Sequence, residues 1–208
     1  SDCGDLGALS IRRFADDVAA FAARLDGPPP VIGGISMGAA IALRLAVTSP
    51  DMFCGLILAR PAWVTGDAPD TLAAHRQIAA LLAEHEPDEA QQRFQNTALA
   101  KAIAATSPDN LASLLGFFTR QPTDQTRALL ASIASDGPGV HRQDIAALAM
   151  PTLVIGTDRD VVHPLAMAHE LASLIPRAHL VEITSKSQNP AAYVTEFSLA
   201  LRQFLEEI

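Results

Sequence analysis

The sequence predicts an α/β fold: about four parallel strands flanked by helices, with a helical insertion between the second and third strands. Three observations carry this. Short apolar runs alternate with longer stretches of helical period, which implies parallel pairing through right-handed crossovers. Residues 66–149 contain no strand-like run and are dominated by alanine and leucine. Residues 31–40 read as a strand, the turn Gly34-Ile35-Ser36-Met37-Gly38, and the start of a small-residue helix. That is a G-x-S-x-G pattern set between strand and helix, an arrangement that lifts a serine out of the sheet.

Residues 1–9 read as a loop, with Gly4 and Gly7 and no periodicity. Ser10 is a good N-cap, and Ile11, Phe14, Ala15, Val18, Phe21, Ala22 and Leu25 then recur at helical spacing. Gly27 and Pro28-Pro29-Pro30 end that helix, and the strand to Ser36 follows. The next helix carries Ile41, Leu43, Leu45 and Ala46 to about Val47, stopping before Pro50. Residues 55–59 form the second strand and leave through Arg60-Pro61-Ala62-Trp63, where core packing is expected of Trp63.

Breaks at Pro87, Pro108, Pro122 and Gly137-Pro138-Gly139 divide residues 66–149 into three to five short helices. Pro151 introduces a third strand over 152–156. A loop over 157–163 leads to Pro164, read as the first residue of a helix reaching Ile175. Residues 179–183 form the fourth strand. Asn189-Pro190 opens a closing helix with Val194, Phe197, Leu201, Phe204, Leu205 and Ile208 on one face. Three units result: core residues 1–65, a helical insertion over 66–149, and core residues 150–208.

A net charge of −8 with no basic cluster argues against nucleic acid or an anionic membrane surface as the main partner. No apolar run approaches the length of a membrane span. Cys3 and Cys54 lie far apart and form no metal-ligand pattern, so free thiols in a reducing, cytoplasmic setting are expected.

The flanking glycines suit the strained turn, because side chains beside the serine would collide with the adjoining strand and helix. Ser36 would project above the strand end, and the Met37 N–H at the helix start could donate to an oxyanion. With these elements placed, the chain resembles the α/β-hydrolase superfamily from Ser1 to Ile208. The order strand, nucleophile elbow, helix, strand, helical insertion, strand with acid loop, helix, strand, helix is similar to that family's C-terminal two-thirds. The resemblance implies a nucleophile at Ser36, and a cap over residues 66–149 whose apolar inner face lines a substrate pocket. It also implies an acid in the loop after the strand beyond the cap, commonly G-x-x-D followed by proline. Asp160, four residues before Pro164, is the better register, and Asp158 is the competing choice. No metal or organic cofactor is implied.

Two departures from the pattern stand out. The family's histidine belongs in the loop after the last strand, which here reads Thr184-Ser185-Lys186-Ser187-Gln188-Asn189. Gln188 would hold the place of a histidine without its chemistry, since glutamine takes up no proton at neutral pH. His163 beside Asp160 reads as a packing or helix-start residue. His75 and His85 read as solvated cap surface, His141 as solvent-facing, and Lys186 as an exposed, protonated lysine. The family's front strands and second oxyanion loop also precede the point where this sequence starts. A fragment is therefore expected, with an exposed edge on the 31–36 strand that pairs with a second copy in a homodimer.

The function expected is a serine hydrolase acting on an ester, thioester or lactone of a small apolar compound. The alternative is a catalytically impaired homologue that binds a small ligand under the cap or acts through protein contacts. A dehalogenase-like reading is weaker, because those relatives carry aspartate where Ser36 stands.

Overall fold

The computed structural model describes residues 9–208, so Cys3 and most of the expected first loop lie outside the described residues. Four strands, β1 (Val31–Ile35), β2 (Gly55–Ala59), β3 (Thr152–Thr157) and β4 (Ala178–Ile183), lie side by side in chain order and pair in parallel throughout. Every residue of β3 is buried. This is why its sequence is a continuous apolar run and not an alternation. Among the described residues β1 pairs only with β2, and Ile35 stays 49% exposed.

The helices are α1 (Ile11–Ala22), α2 (Met37–Thr48), α3 (Ala73–Glu84), α4 (Pro87–Gln95), α5 (Ala98–Thr106), α6 (Pro108–Thr119), α7 (Thr123–Ile133), α8 (Arg142–Ala146), α9 (Leu165–Leu174) and α10 (Pro190–Glu207). One face of the sheet is covered by α2, α8 and α9 through Ala39, Leu43, Ala46, Ile145, Ala168 and Leu171. The other is covered by α10, whose Ala200 and Phe204 pack on Ala59, Leu153 and Ile155. The expected α10 face is only partly buried: Phe197, Leu201 and Phe204 reach the core, while Val194, Leu205 and Ile208 are exposed.

Caps behave as their chemistry demands. Ser10 Oγ accepts from the Arg13 N–H at 3.1 Å, and Asn189 Oδ1 accepts from the Ala191 and Ala192 N–H groups at 3.1 Å each. Pro164 is the N-cap of α9, so that helix begins at Leu165, one residue later than expected.

Between β2 and β3 lie six α-helices, more than the three to five read from proline and glycine breaks. The extra division falls at Asn96-Thr97, where Asn96 closes α4 and Thr97 caps α5 by accepting from the Ala100 N–H at 3.1 Å. A hydroxyl cap divides two helices as well as proline does, without its signature. The helices α3–α7 share a core of their own around Ile78, Phe94, Leu114, Phe118 and Leu130. Val140, Ile145 and Leu148 pack with the sheet, so the chain rejoins that core before residue 150.

A smaller cluster joins the two parts at the C-terminal ends of the strands. Trp63, Ile11, Ala40, Leu72, Ala134 and Val162 meet there. Trp63 is 3% exposed and donates from its indole N–H to Asp136 O at 2.9 Å, so it packs in the core as expected. The Asp136 carboxylate accepts the Ile11 N–H at 2.6 Å, tying the start of α1 to the same point.

Candidate active site

The turn after β1 is strained in the way the sequence requires. Ser36 has φ 57° and ψ −117°, a conformation that costs a non-glycine residue on the order of 1–3 kcal/mol. Its N–H donates to Ala59 O at 3.0 Å, and its carbonyl accepts from the Ala39 and Ala40 N–H groups. The Met37 N–H, at the first position of α2, therefore has no intrahelical acceptor and is available to a ligand. The two turn glycines are not equivalent. A Cβ on Gly34 would lie 2.2 Å from Gly38 C, whereas one on Gly38 would meet nothing. Glycine at 34 is thus a matter of close approach between strand and helix.

Asp160, from the loop after β3, is buried at 7% exposure, while Asp158 is exposed. The helical layer holds that loop from both sides of Asp160. Buried Ser107 donates its hydroxyl to Arg159 O at 2.5 Å, and buried Asn110 accepts the Val162 N–H at 3.2 Å. The Asp160 carboxylate accepts the His163 N–H at 3.0 Å and lies 3.0 Å from His163 Nδ1 through both oxygens. The opposite ring nitrogen, His163 Nε2, stands 2.8 Å from Ser36 Oγ. The histidine read as a packing residue is therefore the one the structure brings to the serine. Its signal in the sequence is the D-x-x-H spacing, which lets one turn present both side chains and the backbone N–H to one carboxylate.

Arg60 follows β2 in a left-handed backbone conformation, φ 44°. Its Nε donates to Asp160 Oδ2 at 2.7 Å, and its Nη2 lies 2.6 Å from the same oxygen and 3.3 Å from His163 Nδ1. Burial works to raise the Asp160 carboxyl, but the His163 hydrogen bond and charge and the Arg60 cation outweigh it and hold the group below the usual carboxylate range. Burial likewise opposes the Arg60 charge, and Asp160 and Tyr193 overcome it, keeping the guanidinium more firmly protonated than usual. The Tyr193 ring lies beneath it, with Arg60 Cζ 5.9 Å from the ring centroid.

The other sequence candidates fall elsewhere. Gln188 Oε1 accepts from the Ser185 hydroxyl at 2.9 Å and the Ser185 N–H at 3.3 Å, so it closes its own loop and does not stand in for a catalytic histidine. Lys186 and His141 are exposed. His75 is not solvated surface: its Nδ1 is buried without a hydrogen-bond partner, and its ring packs on Phe117 at 5.6 Å. Burial, with the His163 and Arg76 charges, pushes His75 down to about 4. His85 meets Glu89 at 3.5 Å at the end of α3. Among the described residues no group of three or more His, Cys, Asp or Glu side chains could hold a metal ion, and no helix is long and apolar enough to cross a membrane. Cys54 is a free thiol.

Met37, next to Ser36 in the chain, lines a cavity of about 390 Å³ whose walls include neither Ser36 nor His163. Leu9, Phe14 and Leu129 supply apolar wall, and Arg120 and Gln125 make part of it polar.

Fold and site together describe a parallel α/β protein that carries a serine on a strained strand–helix turn, against a histidine and a buried carboxylate. The alpha/beta hydrolase family model matches residues 2–193, and the chain belongs to that family. No curated protein matches the sequence. Solved structures similar to it include a thermophilic esterase from Thermogutta terrifontis, with 21% identity and TM-score 0.69 over 95% of this chain and 72% of that one. The enol-lactonase from Burkholderia xenovorans LB400 has 20% identity and TM-score 0.66, covering 95% and 73%. A bromoperoxidase from Bacillus anthracis has 16% identity and TM-score 0.71, covering 99% and 77%. At these identities the likeness shows the shared fold.

Proposed function

We propose that this protein is a serine hydrolase that cleaves an ester, thioester or lactone of a small, largely apolar compound through an acyl-enzyme on Ser36. The observation that carries this is the line from Asp160 through His163 to Ser36 Oγ, with 3.0 and 2.8 Å steps. With Nδ1–H directed at Asp160, Nε2 is the free lone pair, and the Ser36 hydroxyl donates to it. As Oγ attacks the substrate carbonyl carbon, its proton passes to Nε2, and the carbonyl oxygen becomes an oxyanion facing the Met37 N–H. Collapse expels the alcohol or thiol, which leaves with the proton from Nε2. Water then attacks the acyl-enzyme with the same histidine as base, releasing the acid and restoring Ser36.

The cavity beside Met37 supports a compact substrate, and its mixed lining suits an apolar group that ends in a hydrogen-bond acceptor. Lactonase and esterase relatives of the same fold are in keeping with that class. Reaction with a fluorophosphonate probe is the direct test. Stoichiometric labelling that disappears in Ser36→Ala supports the reading, and a wild-type protein that never labels rejects it. The same experiment addresses the second reading, a catalytically impaired binder of small ligands. One observation favours that reading: Asp160 is shared with Arg60 instead of serving His163 alone.

A further inference from the structure

The cavity that Met37 lines has two unlike walls. Met37 and Phe14 belong to the apolar one, and the chain leaving α6 and entering α7 forms the polar one through Arg120, Gln125 and Thr126. Arg120 is the single ionised side chain in that lining, and no carboxylate lies beside it there. In a chain with 23 acidic residues against 15 lysines and arginines, such a lining favours an anion. The backbone at Arg120 is fixed. Its N–H donates to Phe117 O at 3.4 Å, and its carbonyl accepts the hydroxyl of Thr126, which is 4% exposed, at 3.2 Å. Its guanidinium is not engaged in the same way. Arg13, Arg60, Arg93 and Arg142 each meet a carboxylate, whereas Arg120 meets none among the described residues.

A guanidinium offers a planar fork of donors that takes a carboxylate through two parallel bonds. We propose that Arg120 is a specificity-determining residue, and that the cavity takes the acyl part of the substrate, an apolar chain ending in a free carboxylate that Arg120 binds. The inference rests on the reading of Ser36 as nucleophile and narrows its substrate class to monoesters or monothioesters of dicarboxylic acids and lactones bearing a carboxylate. Position assigns the acyl part to this cavity. The leaving group has to lie against His163, which the cavity does not touch, whereas the carbonyl oxygen turns toward the N–H of Met37, a residue of the cavity wall. Apolar side chains then cover the methylene chain, and Gln125 adds an amide to the polar wall. Arg120 is exposed, so the carboxylate stays at the solvent side of the cavity, where removing it from water costs little.

The test is kcat/KM for p-nitrophenol release at low ionic strength, where an exposed ion pair is least screened. The p-nitrophenyl monoesters of glutarate, adipate and pimelate are each compared with the diester whose second carboxyl is methylated, in wild type, Arg120→Met, Arg120→Gln and Arg120→Lys. The readout is the ratio within each pair, so a general loss of activity or stability does not move it. Wild type is expected to favour the free carboxylate by about tenfold or more at one chain length at least, chiefly through KM. Arg120→Met should bring that ratio to about one or below, and Arg120→Lys should retain part of it. A wild type with no such preference at any chain length overturns the proposal, and so does a folded Arg120→Met that keeps the wild-type ratio. Arg120→Gln decides by the same criterion if Arg120→Met does not fold. A wild type that neither releases p-nitrophenol nor reacts with a fluorophosphonate counts instead against the catalytic reading of Ser36. The subsite is then read by calorimetric titration with the glutarate, adipate and pimelate dianions. Binding that is lost in Arg120→Met supports it, and no binding, or binding unchanged in that variant, overturns it.

Discussion

His163 Nε2 lies 2.8 Å from Ser36 Oγ, although 127 positions separate the two residues. The contact exists because β1 and β3 flank β2 in a parallel sheet, so the loops leaving their C-terminal ends open on the same side. If this histidine is the base, His163→Ala should lower kcat/KM for an activated ester by roughly 10³-fold or more, as removal of a triad member does elsewhere. Gln188→Ala should leave the rate unchanged, since that side chain bonds only to Ser185 in its own loop. Steady-state kinetics of the two variants would distinguish the loops, and equal losses would overturn the assignment of His163 as the base.

Asp160 and Asp158 should behave differently. Asp160→Asn removes the charge that orients His163 and leaves Arg60 largely buried beside a neutral group, with side-chain exposures of 3% and 18% for the pair. An activity loss of about 10⁴-fold and a stability loss of about 3 kcal/mol are expected. Asp158→Asn is exposed and should change stability by less than about 0.5 kcal/mol. Urea unfolding together with ester kinetics checks both.

The elbow can be tested through its strain. Ser36→Gly should stabilise the protein by about 1 kcal/mol while abolishing turnover, because glycine adopts the φ 57° backbone without penalty. Gly34→Ala should destabilise it by about 3 kcal/mol, since the new Cβ would meet Gly38 backbone at 2.2 Å. Gly38→Ala, with open space at its Cβ, should be mild. Melting curves of the three variants give the ranking.

His75 should make stability depend on pH. Its value in the folded protein, about 4, lies below the ordinary 6.5, so between these values the unfolded chain binds more protons. Stability contributed by the neutral, buried ring is present above pH 6.5, falls as pH drops, and is lost once pH passes about 4. The total is on the order of 3 kcal/mol. In His75→Phe this slope between pH 6.5 and 4 should vanish, as followed by the urea midpoint across that range.

Local chemistry made much of this protein legible in the sequence. The elbow was visible because Gly34, Ser36 and Gly38 fall between a strand and a helix within a few residues, and backbone sterics act over that distance. Ser10 and Asn189 cap their helices through bonds no longer than three residues in sequence. Asp160, the register favoured by its distance to Pro164, is the buried aspartate of its loop, and Pro164 caps α9. Thr97 was missed because a hydroxyl cap leaves no break in composition.

What the tertiary structure alone decided lies in the long-range contacts. The D-x-x-H spacing put His163 near Asp160, but only the parallel sheet brings its far nitrogen to Ser36. His75 looked like helix surface because periodicity cannot show what another element covers, and the packing of α3 on Phe117 and toward His163 buries it. Arg60 looked like the tail of a strand, and it joins the site through partners 100 and 103 residues away. A residue's intrinsic preference is set by its neighbours in the chain, whereas its charge state and hydrogen-bond partners are set by neighbours in space.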